Sequence, residues 1–483
     1  MLEISVIGLG LVLMLADFFV AAERRRFIGY AAIVALGVLL VTSLSGNGSC
    51  GQFGFAFHGM FVNDALSLFF KQLFIVAAIL VLFMAAEFSD KLAEGSVAEY
   101  YSLIVFALAG MLFAASSNDF TMLFVSIELI TITFYILVSF QRSKLQSLEA
   151  GVKYLILGAL SSSFMVFGIA LIWGTTGELN FNNLAHFLAQ NPEVANSQIF
   201  LLGVLLVLVG LGFKISMFPF QIWAPDVYQG APTPTTAFLA VGSKAAGFVL
   251  LLRVLFTAVP SVTAHWANLL IIISGITILY GNLCAIPQRN LKRLLGYSSI
   301  AHAGYLLLGV AALSASGQSA LMYYLAGYVF TVTAGFFVIT LVMRQLATED
   351  ISGLAGLNQR SPLLAATLTI AMISLAGIPP LAGFFGKFLL LKSVIEAAQV
   401  TGNHGYYCLA FTALVGVIIS LYYYFGVIRA IYWSKEPADL SPIELSSPAK
   451  LSIWICIAGV FWLGLFPNTV LNITNLAAAA LGK

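Results

Sequence analysis

The stretch GFKISMFPFQIWAPDVYQGAPTPTTAFLAVGSKAAGF, residues 212–248, places two lysines, Lys214 and Lys244, in apolar surroundings with Pro219 and Pro225 between them. Proline removes a backbone donor and clashes with the preceding turn, so the first part reads as a helix broken into two halves joined by unwound backbone. At membrane depth such backbone is tolerated where it is buried in protein or lines a wet cavity. A lysine at the centre of a bilayer costs roughly 2.5–3.5 kcal/mol on insertion scales, so a chain that keeps several is expected to use them. The pattern points to a proton or ion path.

The rest of the chain has the composition of a polytopic membrane protein. Of its 483 residues 60% are hydrophobic and 9% charged, against about 25% charged in a soluble domain. At about 20 apolar residues per crossing there is room for about fourteen helices. The formal net charge of +2 gives no reason to expect nucleic acid as a partner. Cys50, Cys284, Cys408 and Cys456 show no metal or iron–sulfur ligand spacing, and a Cys50–Cys408 disulfide is a minor alternative. Glu3 follows Met1 closely with no basic leader and no small-residue cleavage site, so the first apolar run is expected to be a retained helix.

The apolar runs predict helices at about 3–21, 27–44, 65–86, 100–117, 119–140, 147–174, 198–228, 234–257, 266–284, 296–314, 319–344, 362–398, 405–432 and 451–475. Arg24, Arg25, Arg26, Lys91, Arg142, Lys144, Arg289, Lys292, Arg293, Arg344, Arg360, Arg429, Lys435 and Lys450 fall in or beside every second connection. The connections around 45–64, 175–197, 258–265, 315–318 and 399–404 contain no Lys or Arg. This alternation predicts an all-α fold with both termini, Cys50 and the 175–197 loop on the outer face.

A second long segment, 362–398, carries Gly377, Pro379, Pro380 and Gly383 before Lys387. Helices seven and twelve are thus both expected to be discontinuous, and their odd spacing makes them enter the membrane from opposite sides. That is the signature of inverted repeats. The expected organisation is a three-helix segment (1–99), a first five-helix repeat (100–257), a second inverted repeat (258–434) and a last helix (435–483).

Each charge has a structural alternative. Lys71, Arg253 and Lys392 lie near enough to helix ends to snorkel. Glu128, about nine residues into its helix, is roughly 14 Å from the outer end and close to the midplane; it could form a static pair with a lysine that fixes helix register. Lys244 is similarly deep, and Lys153 lies roughly 10 Å from the inner end. His302, with Ser298 and Ser299 one turn before it, would fill the gap between Lys244 and Lys387, since histidine titrates near neutrality. Tyr323, Tyr324, Tyr328, Thr331, Thr333 and the Tyr422, Tyr423, Tyr424 cluster could bridge charges, although aromatic belts account for many membrane tyrosines.

Together with QRNLKRLLGYSSIAHAGY (288–305) and SLAGIPPLAGFFGKF (374–388), the opening stretch resembles the antiporter-like membrane subunits of NADH:quinone oxidoreductase, respiratory complex I, and most closely the subunit N type. The resemblance spans nearly the whole chain. Lysine at 387 departs from the subunit M pattern, and the end soon after the last helix departs from subunit L. The resemblance implies a Glu128–Lys214 pair, a relay through Lys244 and His302, an outer-face connection at Lys387, and a sixth-helix lysine at Lys153. It further implies a bacterial inner membrane location and other membrane and peripheral complex I subunits as partners. NADH, FMN, iron–sulfur clusters and quinone would sit on those partners, because no nucleotide or flavin motif is present here.

The implied mechanism is electrostatic: burial favours a neutral lysine, a nearby carboxylate favours a charged one, and a moving Glu128 would switch Lys214 between them. Two other readings remain open at this level. A subunit of a multisubunit monovalent cation/proton antiporter could share these lysines, and a non-pumping structural subunit could use the charges to hold an assembly together.

Overall fold

In hydrocarbon a backbone group has no water to pair with, so long apolar runs close their hydrogen bonds internally as helices. The computed structural model describes residues 2–21, 24–45, 54–92, 96–346, 349–433 and 440–481. Its helices begin with α1 (Leu2–Ala16), α2 (Arg26–Leu44), α3 (Ala65–Phe88), α4 (Val97–Ala115), α5 (Phe120–Val138) and α6 (Leu145–Thr176). A short α7 (Phe181–Gln190) and α8 (Pro192–Ala195) precede α9 (Gln198–Ile215), α10 (Trp223–Gly230), α11 (Thr233–Phe238) and α12 (Lys244–Arg253). The chain continues as α13 (Ala267–Ala285), α14 (Leu291–Ala311), α15 (Ala315–Gln345) and the short α16 (Leu357–Arg360). It closes with α17 (Pro362–Ala376), α18 (Ala382–Thr401), α19 (Gly405–Trp433), α20 (Ser447–Leu465) and α21 (Asn468–Ala478).

Among the described residues 12 helices are long and apolar enough to cross a membrane, against about fourteen expected. The two remaining expected crossings correspond to shorter apolar helices, Leu2–Ala16 and Pro362–Ala376, the latter being the first half of a broken segment. Three other expectations are refined. The 175–197 connection is not a plain loop, because Asn180 accepts from the amides of Asn182 and Asn183 and starts α7. The final helix divides at Pro467, which has no amide to continue the ladder. A two-stranded antiparallel hairpin, Gly54–Ala56 with Phe61–Asn63, is added to the otherwise helical fold. Cys50 and Lys435 lie outside the described residues; Cys284, Cys408 and Cys456 are free thiols.

The charge partition seen in the sequence is a partition between the two ends of the bundle. At one end the hairpin and the lysine-free connections zip together: Val62 donates to the Ser116 carbonyl at 2.9 Å, Asn118 to Met60 at 2.8 Å and Phe181 to Asn118 at 3.0 Å. At the other end of α3, buried Glu87 accepts from Arg26, from Arg344 at 3.2 Å and from Ser446 at 2.5 Å. Near it, Asp90 pairs with Arg344.

The interior belongs to α11, α12, α14 and α15, which are buried on nearly every face, whereas α2, α6, α13 and α19 leave large apolar side chains exposed. Helices that carry Lys244, His302 and Tyr324 at membrane depth are enclosed by others, since ionisable side chains are costly against lipid. The broken segments pack into this interior. In the first, Ser216 adopts the left-handed conformation (φ 61°) and Met217 donates to Gly212 at 3.0 Å. In the second, Gly377 is left-handed (φ 88°) and Ile378 donates to Ile373 at 3.2 Å. Both ends are thus capped by a left-handed residue that satisfies carbonyls of the last turn. Each segment also contains one cis X–Pro bond, Phe218–Pro219 and Pro379–Pro380.

Candidate functional site: a file of buried lysines and hydroxyls

Lys214 occupies the last turn of α9, two residues before the left-handed cap, and its side chain is buried. Its ammonium donates to Thr131 Oγ1 of α5 at 2.8 Å. The expected ion pair with Glu128 is not made. Glu128, one turn earlier on α5, is half-buried and accepts from Ser162 Oγ of α6 at 2.5 Å. The two side chains thus bond different partners, Ser162 and Thr131. The helical register explains this: Glu128 and Thr131 share a face, but Glu128 points further toward the outward-lying α6.

Lys244 follows a π-helical turn, Leu239–Ser243, at the start of α12. Such turns widen a helix and recur at functional sites. Its ammonium donates to the Ser299 carbonyl of α14 at 2.6 Å and also to the Ser299 hydroxyl. That hydroxyl bonds Tyr228 OH of α10 at 3.0 Å. One residue along α14, Ser298 Oγ meets Tyr424 OH of α19 at 2.5 Å. Tyr424 OH in turn lies 3.0 Å from His302 Nε2, while His302 Nδ1 faces Tyr324 OH of α15 at 2.5 Å. Gly386 of α18 permits that packing, since a Cβ there would come within 2.1 Å of the Tyr324 ring.

Lys387 sits on α18 and reaches back across the break. Its ammonium donates to the carbonyls of Leu375 at 2.8 Å and Ala376 at 3.2 Å, the free carbonyl end of α17. This is where the helix dipole favours a cation. The ammonium also lies 4.7 Å from the centre of the Tyr305 ring, a cation–π contact, and Tyr305 packs beside His302 with ring centres 6.0 Å apart. Lys244, His302 and Lys387 thus lie along one buried line of serine and tyrosine side chains, hydrogen-bonded from Lys244 to Ser299 and from Ser298 through Tyr424 to His302, and in ring contact from His302 through Tyr305 to Lys387.

Not every residue singled out in the sequence belongs to this file. Lys153 is not buried: its side chain is 43% exposed and pairs with Asp226 at 2.8 Å and Glu149 at 2.7 Å. It lies on α6, whose outer side faces away from the bundle, at a small surface cavity of about 160 Å³ shared with Arg293 and Gln229. Lys71 and Arg253, expected to snorkel, are instead buried and paired. Lys71 contacts Glu3 at 2.8 Å and Asn63 at 3.0 Å. Arg253 grips both oxygens of Asp64, at 2.9 and 3.1 Å, and the Ala115 carbonyl. Lys392 does remain exposed, near Glu396. Tyr323 bonds the Leu463 carbonyl, Tyr423 bonds Asn282, Tyr422 is exposed, and Thr331 bonds Ser374.

Tyr228 and Tyr305 were not singled out by sequence reasoning; both stand inside quoted motifs, but nothing in their spacing separates them from packing aromatics. Among the described residues no cluster of His, Cys, Asp or Glu could hold a metal ion.

Comparison with known proteins places the chain among antiporter-like membrane subunits. The sequence model of the family described as NADH:quinone oxidoreductase/Mrp antiporter, TM matches residues 117–412. A NADH-quinone oxidoreductase subunit N of Desulforamulus reducens is 39% identical, over 99% of this chain and 97% of its own. A chain in the respiratory complex I of Thermus thermophilus superposes with a TM-score of 0.79 at 31% identity, covering 98% of this chain and 99% of that one. A chain of the Mrp complex from Dietzia shares the fold, with a TM-score of 0.84 at 21% identity and coverage of 100% and 98%.

Proposed function

Because this chain belongs to the NADH:quinone oxidoreductase/Mrp antiporter membrane family, with subunit N relatives along its whole length, we propose that it translocates protons as a membrane subunit of an NADH:quinone oxidoreductase. The observation that carries the reading is the buried line of polar side chains in an otherwise apolar core: Lys244 bonded to Ser299, the adjacent Ser298 bonded to Tyr424, Tyr424 bonded to His302, and the Tyr305 ring packed between His302 and Lys387. A lone buried charge is expensive, but a series of them linked by hydroxyls offers each proton a next acceptor. Lys214 and Glu128 form the variable element. A carboxylate brought toward Lys214 holds the proton on its amine, and withdrawal releases it. Quinone reduction on partner subunits would supply the energy for that motion, and NADH, FMN, the iron–sulfur clusters and quinone would be bound there.

The chain would cross a bacterial inner membrane fourteen times, as two inverted repeats of five helices, with both termini outside. The clustering of basic connections at one end of the bundle supports this orientation. Single cysteines at Asn182 and Arg289, in a chain freed of native cysteines, test it: an impermeant thiol reagent added outside intact cells should label the first and spare the second. Labelling of position 289 from outside would reverse the topology. The antiporter reading is less well supported, since the Mrp chain matches at 21% identity against 39% for subunit N.

Pumping itself is tested in the purified complex reconstituted in vesicles. Lys244→Met should abolish acidification driven by NADH oxidation while the complex still assembles. An assembled variant with wild-type proton yield would favour the non-pumping, structural reading.

A further inference from the structure

The hydrogen-bonded file begins at Lys244, leaving a gap between it and Lys214 with Glu128. Tyr154 has neighbours on both sides of that gap, Phe213 next to Lys214 and Ser243 next to Lys244. Tyr154 is the residue after Lys153 on α6, and one step along a helix turns a side chain by about 100°. Lys153 therefore faces outward while Tyr154 is fully buried. Its ring is fixed on three sides: Tyr135 at 5.1 Å, Trp223 at 4.8 Å and, stacked at 6.1 Å, Phe213, the neighbour of Lys214. Trp223 is itself anchored, donating to the Phe213 carbonyl at 2.9 Å.

Despite this enclosure the Tyr154 hydroxyl has no hydrogen bond of normal geometry, and neither has the hydroxyl of Tyr135 beside it. Buried hydroxyls are ordinarily paired, and an unpaired one on a ring stacked against the neighbour of a buried lysine is free to take and pass on a proton. Glu128, Tyr135 and Tyr228 lie within electrostatic reach of the Tyr154 phenol, and Ser243 lies within reach of a hydrogen bond. Ser243 closes the π-helical turn that presents Lys244, and Tyr228 shares the Ser299 hydroxyl with Lys244. A packing role alone would be served by phenylalanine.

We propose that the Tyr154 hydroxyl is the link that carries protons between the Glu128–Lys214 region and Lys244. This rests on the proton-translocating reading above and adds a residue to it. In each transfer a proton arrives on a lone pair of the phenol oxygen and the phenol's own proton leaves toward Ser243 or an intervening water. The phenol is unchanged overall, and rotation about the C–O bond restores it.

The test uses the whole complex in vesicles, with proton yield per NADH oxidised measured for Tyr154→Phe, Ser243→Ala and Lys214→Met, each normalised to assembled enzyme. Tyr154→Phe keeps the ring and should lower the yield by about tenfold, less than the roughly 10²–10⁴-fold that positioned proton-transfer groups supply, because water can partly replace a lost hydroxyl. It should also enlarge the solvent deuterium isotope effect on turnover, a readout that lost packing would not move. Ser243→Ala should act in the same direction. If Lys214→Met abolishes pumping while Tyr154→Phe pumps with wild-type yield and isotope effect, the Tyr154 link is overturned and the wider reading stands. If Lys214→Met also pumps normally, the wider reading falls and the link falls with it.

Discussion

The two broken segments share a backbone but not an electrostatic plan. In the register that lays Ser216 on Gly377, Pro219 falls on Pro380, so the two caps and turns coincide residue for residue. The charges do not. Lys214 stands two residues before its cap and its counterpart in the second segment is Leu375; Lys387 stands after its break and its counterpart is Asp226. Lys387 is held by carbonyl groups of a helix end and by the face of Tyr305, with no carboxylate partner among the described residues, whereas Lys214 is held by a neutral threonine one turn from Glu128, which is turned to Ser162. A fixed dipole suits a permanent station. A carboxylate held off by Ser162 is what the proposed switch would use.

The largest expected effects break both halves of this comparison. Lys214→Met and Lys387→Met should each reduce proton yield by about tenfold or more in assembled enzyme. Assembly should survive, because a near volume-conserving exchange costs less than about 1.5 kcal/mol. If Lys387→Met left yield and electron-transfer rate at wild-type values, the second break would be architecture alone.

Glu128→Gln sharpens the contrast. It should lower pumping in the wild-type background and add nothing to Lys214→Met, but should add to the loss in Lys387→Met. The interaction removed lies below about 4 kcal/mol, the figure for unit charges 4 Å apart at an effective dielectric of ~20. Purely additive losses with Lys214→Met would separate Glu128 from the switch.

Asp64→Asn tests charges that are held still. Arg253 would lose its buried partner, at a cost of about 3–5 kcal/mol if the site is dry, seen as a lower thermal unfolding temperature in detergent. Burial alone would raise the Asp64 carboxyl, but the adjacent Arg253 guanidinium and the Ser67 amide outweigh it and hold it below the usual carboxylate range. A depressed folded-state value means that this stabilisation is complete above about pH 4 and is lost as pH falls further. The wild type should therefore lose stability in acid more steeply than Asp64→Asn. Parallel acid profiles would show that the pair contributes nothing.

The smallest effect is expected at Asp226, the register partner of Lys387. Its pairs with Lys153 and Arg293 are about one-third exposed, and exposed pairs are worth about 0–1 kcal/mol. Asp226→Asn should shift the unfolding temperature little; a shift as large as that of Asp64→Asn would mean that the surface pair is shielded from solvent in the complex.

Much of this molecule was legible in the chain itself. Hydropathy located the long helices, because hydrocarbon admits few alternatives to them. Basic residues in alternate connections foretold the partition that Glu87, Arg26 and Arg344 display at one end of the bundle. Pro219 and Pro380 marked both breaks, since a missing donor interrupts a helix wherever it stands. Lys214, Lys244, His302 and Lys387 were visible as charged or titratable groups in apolar runs. What only the tertiary structure decided was which way each side chain faces and what it meets. Lys153 and Tyr154 are one residue apart, and the packing of α6 against α5 and α9 turned the lysine outward and the tyrosine inward. Hydropathy averages over a helix and is blind to that rotation. Glu128 and Lys214 carried opposite charges within apolar runs, yet Thr131 and Ser162 took the contacts, because hydrogen bonds need a few tenths of an ångström and a direction that no linear spacing specifies.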